Sequence, residues 1–340
     1  MKPRRTTLGQ VADAAGVSIA TVSKVLNNRG DVSVETRRRV EKHLRASSYR
    51  RVGAGSAQAQ RLSQQIEVVL GGPQNAYVMA VLDGITASAQ LEGFEIVYAR
   101  GSSGRPTGID AAALLASQRV GAIFITTDAS GPEFKKLCEA DFPVVVVDPL
   151  RIAGTHCISI GATNFTGAVS ATEHLLSLGH RRIGHAGGPA SVECSEARLS
   201  GYASALRRKG LPLEDSLVTH VPFDYEAGLQ AGQDLLDVAD PPTAVFAASD
   251  EIALGIIEEA RRRGLRVPQD LSVVGFDDTF LAARATPPLT TVAQPLIEMG
   301  QLAVRSLAQV IANDRIGTRH IELATRLVVR GSASRLDAGR

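Results

Sequence analysis

The strongest candidate for chemistry in the sequence is a carboxylate at the end of an apolar run. Asp277 directly follows residues 272–276, whose composition predicts a buried strand. A carboxylate in that position can accept hydrogen bonds from two adjacent hydroxyl groups, as a sugar presents. The alternative is a cap for the following helix, a role that the neighbouring Asp278 fits better. We therefore interpret Asp277 as a ligand-binding residue.

Motifs of the common catalytic and nucleotide-binding classes are missing. The sequence has no G-x-x-x-x-G-K-[ST] phosphate loop, no G-x-G-x-x-G after its first strand, no H-E-x-x-H, no G-x-S-x-G and no C-x-x-C. The seven histidines lack the spacing of metal ligands, and the three cysteines are widely separated. We predict a binding protein rather than an enzyme, with free thiols and without a metal or other cofactor.

The near-neutral total charge of +2 hides a strong asymmetry along the chain. Residues 1–61 contain 13 Lys and Arg against 4 Asp and Glu, whereas the remaining residues contain 24 against 31. A basic N-terminal module on an acidic body is typical of a head that binds a polyanion such as DNA. A run of arginines on a solvated helix face is the alternative, and charge alone does not separate the two.

The first thirty residues predict two short helices joined by a tight turn. Thr7 can cap a first helix, and Gly16 supplies the flexible residue that a turn after this helix needs. Ser18 is a suitable N-cap for a second helix, which ends near residues 27–28. The apolar residues follow helical spacing on one face of each helix: Leu8, Val11, Ala12 and Ala15 in the first, and Val22, Val25 and Leu26 in the second.

The opposite face of the second helix carries small or hydrogen-bonding residues. At 100° per residue this face contains Ala20, Ser23, Lys24 and Asn27. Such residues suit a helix that enters a DNA groove about 12 Å wide. A third helix is predicted after Ser33, with residues 40 and 44 facing inward. Together these elements indicate a helix-turn-helix, although small three-helix domains without DNA function share the pattern.

Residues 7–28, TLGQVADAAGVSIATVSKVLNN, closely resemble the head of LacI-family repressors, and the match continues through residues 32–37 to 49–50. The resemblance implies that Ile19, Ala20 and Lys24 read base edges, with apolar contacts from the first two and donation to guanine from Lys24. It implies phosphate and groove-wall contacts, which set register rather than sequence, for the other DNA-binding residues: Thr7, Ser18, Thr21, Ser23, Asn27, Asn28 and Tyr49.

The segment after Tyr49 departs from the family. Similar proteins have a short hinge helix here, whose leucine wedges into the minor groove. In this chain Gln58 stands where the leucine is expected, and Gly53 and Gly55 each disfavour a helix by about 1 kcal/mol relative to alanine. Leu62 in a shifted register is an alternative wedge. We predict a flexible linker over residues 51–64, between a DNA-binding domain at 1–50 and a large domain at 65–335.

The large domain alternates apolar runs with helical stretches. Parallel strands covered on both faces are predicted at 66–70, 95–98, 122–126, 144–148, 183–186, 217–221, 244–247 and 272–276. Segments 163–183, 195–202, 249–255, 274–278 and 287–292 are similar to family blocks. The fold class implied is an α-helical head plus two doubly wound α/β lobes of periplasmic-binding-protein type I. Crossovers near 161, 289 and 319 would divide an N-lobe (65–161 and 290–318) from a C-lobe (162–289 and 319–335).

The resemblance also implies an effector pocket between these lobes. Arg198 matches a ligand-contact position, and its rigid donor fork suits hydroxyls or carboxylates; an interlobe ion pair is the alternative. Tyr77, Phe165 and Phe223 fall where family members place aromatic walls, although each fits a core position as well. Ser249 stands where an Asn is common. With Asp277, these residues complete the predicted effector set.

These observations predict a transcription regulator, most readily a homodimeric repressor that a small sugar or sugar-like effector releases from a pseudo-palindromic DNA operator. Corepression by a purine or a phosphoprotein also occurs in similar proteins. A solute-binding transport protein would need a signal peptide, and residues 1–6 lack the apolar core of one. No run reaches the ~18 apolar residues of a membrane helix. A cytoplasmic location without membrane contact is therefore expected.

Overall fold

The computed structural model describes residues 8–26, 32–46, 64–72, 75–100, 109–152, 157–313 and 318–336. Contacts divide the chain into two compact units, residues 1–61 and 62–340. The predicted linker at 51–64 lies outside the described residues except for residue 64. The two units are described separately below.

The smaller unit consists of three helices around a small apolar core. The helices are α1 (Leu8–Ala15), α2 (Ile19–Leu26) and α3 (Val34–Ala46). All three were predicted from helical spacing. The buried core residues are Val11, Ala12, Ala15, Val22, Val25 and Val40. The side chains of Leu8, Leu26 and Leu44, also predicted to face inward, lie outside the described part of the unit.

Local hydrogen bonds fix where these helices begin. Gly16 has φ +62°, which allows the left-handed turn after α1, and Val17 N donates to Ala12 O. Ser18 Oγ accepts from Thr21 N at 3.1 Å and so caps α2, while Ser33 Oγ accepts from Thr36 N at 3.2 Å and caps α3. Both caps were predicted; Thr7, predicted to cap α1, lies outside the described residues.

The larger unit is built from fourteen described strands. They are β1 (Gln65–Leu70), β2 (Glu95–Arg100), β3 (Gly121–Ile125), β4 (Asp128–Ala129), β5 (Val144–Val147), β6 (Arg151–Ile152), β7 (Ile158–Ala162), β8 (Ile183–Gly187), β9 (Val218–His220), β10 (Ala244–Ala247), β11 (Ser272–Asp277), β12 (Thr290–Ala293), β13 (His320–Leu323) and β14 (Arg326–Val328). All eight predicted strands are present within one or two residues of their expected ends. The sequence analysis did not predict β7, β12, β13, β14 or the short pair β4 and β6.

Nine described helices accompany these strands. They are α4 (Ala76–Glu92), α5 (Ala111–Ala116), α6 (Pro132–Glu139), α7 (Asn164–Ser177), α8 (Glu193–Arg208), α9 (Tyr225–Leu236), α10 (Asp250–Arg262), α11 (Phe280–Arg284) and α12 (Leu296–Ile311). Most lie between successive strands of one sheet, as the βα alternation of the sequence predicts. A 3₁₀ turn, Asp215–Leu217, precedes β9.

Twelve of the strands form two six-stranded sheets, one in each lobe, and β4 and β6 form a separate parallel pair. The first has the order β13-β7-β5-β3-β1-β2, and the second has the order β14-β12-β11-β10-β8-β9. All neighbours in both sheets are parallel except β12 and β14. Val144–Val147 and Ala244–Ala247, in the middle of their sheets, are buried along their whole length. Because helices cover both faces, central strands of this kind are continuously apolar.

The three crossovers between the lobes correct the predicted boundaries. Only the first, at residues 162–164, agrees with its predicted place near 161. Residues 290–293, assigned to the N-lobe from the sequence, form β12 and pair with β11 of the second sheet. Residues 320–323, assigned to the C-lobe, form β13 and pair with β7 of the first sheet. The second and third crossovers therefore lie at 294–295 and 324–325, because the distant strand partner, and not the local sequence, determines the lobe.

Two of the crossovers are tied to each other by hydrogen bonds. Thr163 Oγ1 lies 2.9 Å from Thr325 Oγ1 and accepts from Thr325 N at 2.9 Å. Thr163 N in turn donates to Leu323 O. The hydroxyl pair joins the first and third crossovers directly.

The described helices include none that is long and apolar enough to cross a membrane.

The closest helix contact in the first lobe depends on two glycines. Helices α4 and α12 cross where a Cβ on Gly84 would lie 2.0 Å from Ile297 O and one on Gly300 would lie 2.2 Å from Val81 O. A Gly84→Ala change must push the helices apart, so we expect a loss of about 3 kcal/mol in the free energy of unfolding, measured by urea denaturation. Gln90→Ala, on the exposed face of α4, is the matched control. Equal stability of the two variants would contradict the tight crossing.

Candidate effector cleft and DNA-reading helix

A cavity of about 310 Å³ lies between the two lobes of the larger unit. The first lobe contributes residues that follow β1, β3 and β5, and the second contributes residues that follow β8, β10 and β11. Ligands of doubly wound sheets bind at these carboxyl ends. Its lining residues are Gly71, Gly72, Asn75, Tyr77, Val78, Thr126, Asp148, Leu150, Pro189, Val192, Cys194, Arg198, Pro222, Phe223, Asp224, Ser249, Asp250, Glu251 and Asp277.

Unusual backbone conformations occur at the strand ends that face this cavity. Thr126 and Asp148 have φ of 47°, and Asp277 has φ of 114°. Non-glycine residues seldom adopt positive φ. Such strained conformations persist only where the surrounding structure fixes them, and they cluster at ligand-binding and active sites. All three residues line the cavity. The strain turns their side chains at the strand ends into the space between the lobes.

Arg198 is the central cation of the cleft and is 2% exposed. Its Nε donates to Asn164 Oδ1 at 2.9 Å and its Nη1 donates to Ala248 O. The guanidinium lies 3.9 Å from the centroid of the Phe276 ring. Burial alone lowers the pKa of this group, but facing acidic groups outweigh burial and raise it. Arg198 is therefore a fixed, permanently charged wall of the cavity.

Asp277, predicted from sequence to be a pocket residue, lines the cavity and faces Arg198. Its Oδ1 lies 3.9 Å from Arg198 Nη2 and accepts a hydrogen bond from Gln294 Nε2 at 2.7 Å. Burial raises the pKa of this carboxyl well above its usual range, against the opposing effect of Arg198. Gln294 lies in the second crossover, so the carboxylate is joined to a segment that links the lobes.

The first lobe presents a second carboxylate to the cavity. Tyr77 OH donates to Asp148 Oδ2 at 3.1 Å. Burial raises the pKa of Asp148, and burial together with Asp148 raises the pKa of Tyr77. Tyr77 thus remains a protonated donor, and both groups line the cavity. The sequence analysis predicted Tyr77 at this site as an aromatic wall; its hydroxyl also orients a carboxylate.

Two further residues that line the cavity, Asp250 and Ser249, form hydrogen bonds within the second lobe. Asp250, fully buried, accepts from Thr279 N, Thr279 Oγ1 and Thr291 Oγ1 at 2.6–2.9 Å. Burial nevertheless raises the pKa of Asp250 to about 7. Ser249 Oγ accepts from Ile252 N at 3.2 Å and caps α10. Ser249 lines the cavity as predicted, but its side chain is already engaged by its own helix.

The two predicted aromatic walls of the second lobe differ in position. Phe223 lines the cavity, and its ring centroid lies 5.9 Å from the Arg198 guanidinium carbon. Phe165 does not line it. Phe165 is 43% exposed and faces a neighbouring cavity that residues 159, 161–166 and 320–322 also line. Phe165 thus lies beside the cavity and not in its lining, and its role as an effector contact stays a prediction.

Four functional residues at the cleft were missed by the sequence analysis: Asp148, Asn164, Asp250 and Gln294. Asp148 had the same signal as Asp277, because each follows the apolar core of a strand. Asn164 and Gln294 act through a second side chain, by holding Arg198 and Asp277. Such positioning roles depend on contacts between distant segments, which spacing along the chain does not reveal.

In the smaller unit, α2 presents a polar, exposed face opposite its buried valines. Lys24 is exposed, Ile19 is 55% exposed, and Val22 is fully buried. Ser18 is exposed and Thr21 is half-buried, and their hydroxyls lie 2.9 Å apart. The side chains of Ala20 and Ser23 lie outside the description, as do Thr7, Asn27, Asn28 and Tyr49. The predicted exposure of Lys24 on this helix is confirmed, and Ile19, which the resemblance implies reads base edges, is exposed as well.

Comparison with known proteins gives the same two-part organisation. Residues 7–51 match the family described as bacterial regulatory proteins, lacI family, and residues 172–333 match the periplasmic binding protein-like domain. The HTH-type transcriptional repressor CytR of Escherichia coli K12 is 34% identical over 337 residues, which cover 97% of each chain. The chain belongs to the LacI family. It is therefore a DNA-binding transcriptional regulator.

Solved structures of LacI-family proteins match nearly the whole chain. A complex of the regulator CelR with cellobiose has a TM-score of 0.74 and 32% identity, and covers 96% of this chain and 100% of that one. A lac repressor dimer bound to operator and the anti-inducer ONPF has a TM-score of 0.72 and 28% identity, with 97% and 100% coverage. The predicted family and fold class are confirmed.

A buried histidine below the cleft makes stability depend on pH. His185 of β8 lies between the rings of Tyr202 and Phe246, each 5.0 Å away, and its Nδ1 is 3.0 Å from Phe246 O. Burial lowers the pKa of His185 to about 4. The unfolded chain therefore binds a proton between about pH 6.5 and 4 that the native state does not, and stability falls as pH falls through this window.

We expect His185 to contribute a loss of about 3 kcal/mol across that window. The measurement is the free energy of urea unfolding at both ends of the window, for the native protein and for His185→Gln. Because only the native protein carries His185, its free energy of unfolding should fall more on acidification than that of His185→Gln, and the difference between the two values should shrink. His43→Gln, on α3 of the smaller unit, is the control. A His185→Gln variant whose pH dependence equals that of the native protein would contradict this assignment.

Proposed function

We propose that this regulator is a repressor whose operator affinity is controlled by a hydroxyl-bearing effector bound between the two lobes. The observation that carries the proposal is the buried array of Arg198 with Asp277 from one lobe and the Asp148–Tyr77 pair from the other. A ligand that bonds to both sides stabilises the closed arrangement of the lobes. It can shift DNA affinity only as far as its own affinities for the two arrangements differ.

The α2 helix is the proposed reader of operator sequence. Lys24 carries a donor to guanine O6 or N7, and Ile19 provides an apolar contact for a thymine methyl group. Buried Val22 and Val25 hold the opposite side of the helix on the core of the smaller unit. Ser18 and Thr21 would contact phosphates. We extend the same role to Ala20, Ser23, Asn27, Asn28, Thr7 and Tyr49 on the strength of the family resemblance.

We also propose a homodimer on a pseudo-palindromic site, because one such helix contacts only a few base pairs and two-fold symmetry doubles them. The lac repressor relative is a dimer on its operator. The proposed location is the cytoplasm, where the operator DNA lies. The proposed mode of action is binding alone, without catalysis, as the names of the relatives as repressors and regulators support.

Replacing Lys24 tests the reading helix. We expect Lys24→Ala to relax the preference for a duplex selected from a random pool, with a loss of roughly 1–3 kcal/mol of discrimination against a scrambled duplex. The measurement is a filter-binding titration of both duplexes at several salt concentrations. Lys42→Ala on α3, another exposed lysine, is the control and should leave discrimination unchanged. A loss by Lys24→Ala that is equal on both duplexes would reduce Lys24 to a phosphate contact.

Replacing Asp277 tests the cleft. Cellobiose, the ligand of the CelR structure, is the first probe, followed by a panel of sugars and nucleosides in a thermal-shift assay. A ligand at 100 times its Kd stabilises the native state by about 2.7 kcal/mol. We expect Asp277→Ala to abolish the shift of every hydroxylated ligand that binds the native protein. Phe165→Ala, outside the cavity, should retain it. A shift that survives in Asp277→Ala would refute the pocket assignment.

A further inference from the structure

The charges around the cavity are almost all of one sign. Among the described residues that line it, Arg198 is the one cation. Five lining residues are acidic: Asp148, Asp224, Asp250, Glu251 and Asp277. Buried charges interact more strongly than exposed ones, because little water screens them. An incoming anion would therefore meet an unfavourable potential that one guanidinium does not cancel.

The single guanidinium has little capacity left for an anion. Phosphate and carboxylate recognition by arginine relies on two parallel donors along one edge of the fork. In Arg198, Nε is used by Asn164 Oδ1 and Nη1 by Ala248 O, and the remaining Nη2 faces Asp277 Oδ1. Each edge of the fork thus has at least one donor already engaged. A bidentate clamp on an anionic group is not available.

The other usual anion sites, the N-termini of helices, carry caps or acidic residues of the chain itself. Four helices begin at this cavity. Asn75 Oδ1 accepts from Val78 N in α4, Asp224 Oδ1 from Ala227 N in α9, and Ser249 Oγ from Ile252 N in α10. Glu251 Oε1 also accepts from Ala76 N across the lobes. The fourth helix, α8, has no side-chain cap; its first turn carries Glu193 and Glu196, and Glu193 N donates to Leu150 O. Three of these N-termini therefore use a side chain of the protein on an N–H group that a phosphate would otherwise accept from, and the fourth carries two carboxylates.

What the cavity offers instead is acceptor atoms. The hydrogen bonds of Asp277 and Asp148 within the described part of the chain use Oδ1 of the former and Oδ2 of the latter. The second oxygen of each carboxylate remains for a ligand. Burial raises the pKa of each carboxyl although each already accepts one hydrogen bond, from Gln294 and from Tyr77 respectively, so further donors would stabilise the charged forms. Hydroxyl or amine groups supply such donors, whereas a further anion raises the cost of both charges.

We propose that the cleft selects a donor-rich effector that carries no anionic group. A sugar, a nucleoside or an amino sugar can enter it, and a phosphorylated or carboxylated form of the same molecule is excluded. The inference rests on the proposed function of the cleft as the effector site. It goes further by assigning the charge of the effector: the carboxylates of Asp148 and Asp277 would repel a molecule that carries an anionic group.

Inorganic phosphate is the probe that tests this exclusion without knowledge of the natural effector. The experiment is calorimetric titration of the full-length protein with phosphate at constant ionic strength and neutral pH. Native protein is expected to show no saturable binding in the cleft. Asp148→Asn/Asp277→Asn removes both charges and releases Arg198 from its acidic partner. We expect this variant to bind phosphate saturably, with an affinity at least about tenfold above the detection limit that the native protein does not reach, since one pKa unit of interaction corresponds to a factor of ten.

Glu92→Gln, an exposed change at the end of α4, is the matched control for altered net charge. Phosphate binding by the double variant that is no tighter than that of the control overturns the proposal, and so does saturable binding to native protein that Arg198→Gln abolishes. If the double variant does not fold, Asp148→Asn alone is expected to bind phosphate more tightly than the Glu92→Gln control. None of these phosphate-binding results bears on whether the protein selects an operator sequence. Conversely, loss of sequence-selective DNA binding would refute the proposed regulator without any change in phosphate binding.

Discussion

The cleft depends on one buried cation that the fold must keep paired. A guanidinium that is 2% exposed loses nearly all its hydration, and an unpaired charge in that position costs several kcal/mol. Arg198 of α8 meets this demand with groups from three other elements: Asn164 on α7, Ala248 after β10 and Asp277 at the end of β11. The relative positions of these elements are therefore fixed by the same contacts that shape the ligand site.

The two lobes contribute unequal chemistry to this site. The second lobe supplies the cation and one carboxylate, and the first supplies a carboxylate whose orientation depends on Tyr77. Both carboxylates are buried, so little water screens the repulsion between them, and donors from a ligand between the lobes would relieve it. The same cluster can thus bind the effector and couple its presence to the distance between the lobes.

Much of this arrangement could be predicted from sequence, and the failures have a common cause. Continuous apolar runs such as 144–147 and 244–247 identify buried parallel strands locally. Residues 290–293 and 320–323 were placed in the wrong lobe because their strand partners, β11 and β7, are distant along the chain. Phe165, expected in the lining of the cleft, lies beside it, since the rotation of α7 decides which cavity the ring faces. Asp277 was found because its chemistry follows directly from its position at a strand end.

The hydroxyl pair of Thr163 and Thr325 has a mechanical consequence for the larger unit. Because these bonds fasten the first and third crossovers together, relative motion there is restrained, and the pair behaves as a pivot. The remaining connection, through Gln294 and Pro295, lies beside Asp277 and must absorb the bending. A rotation of one lobe relative to the other would then be centred on the Thr163–Thr325 pair. The chain would bend at the second crossover, where Gln294 is hydrogen-bonded to Asp277.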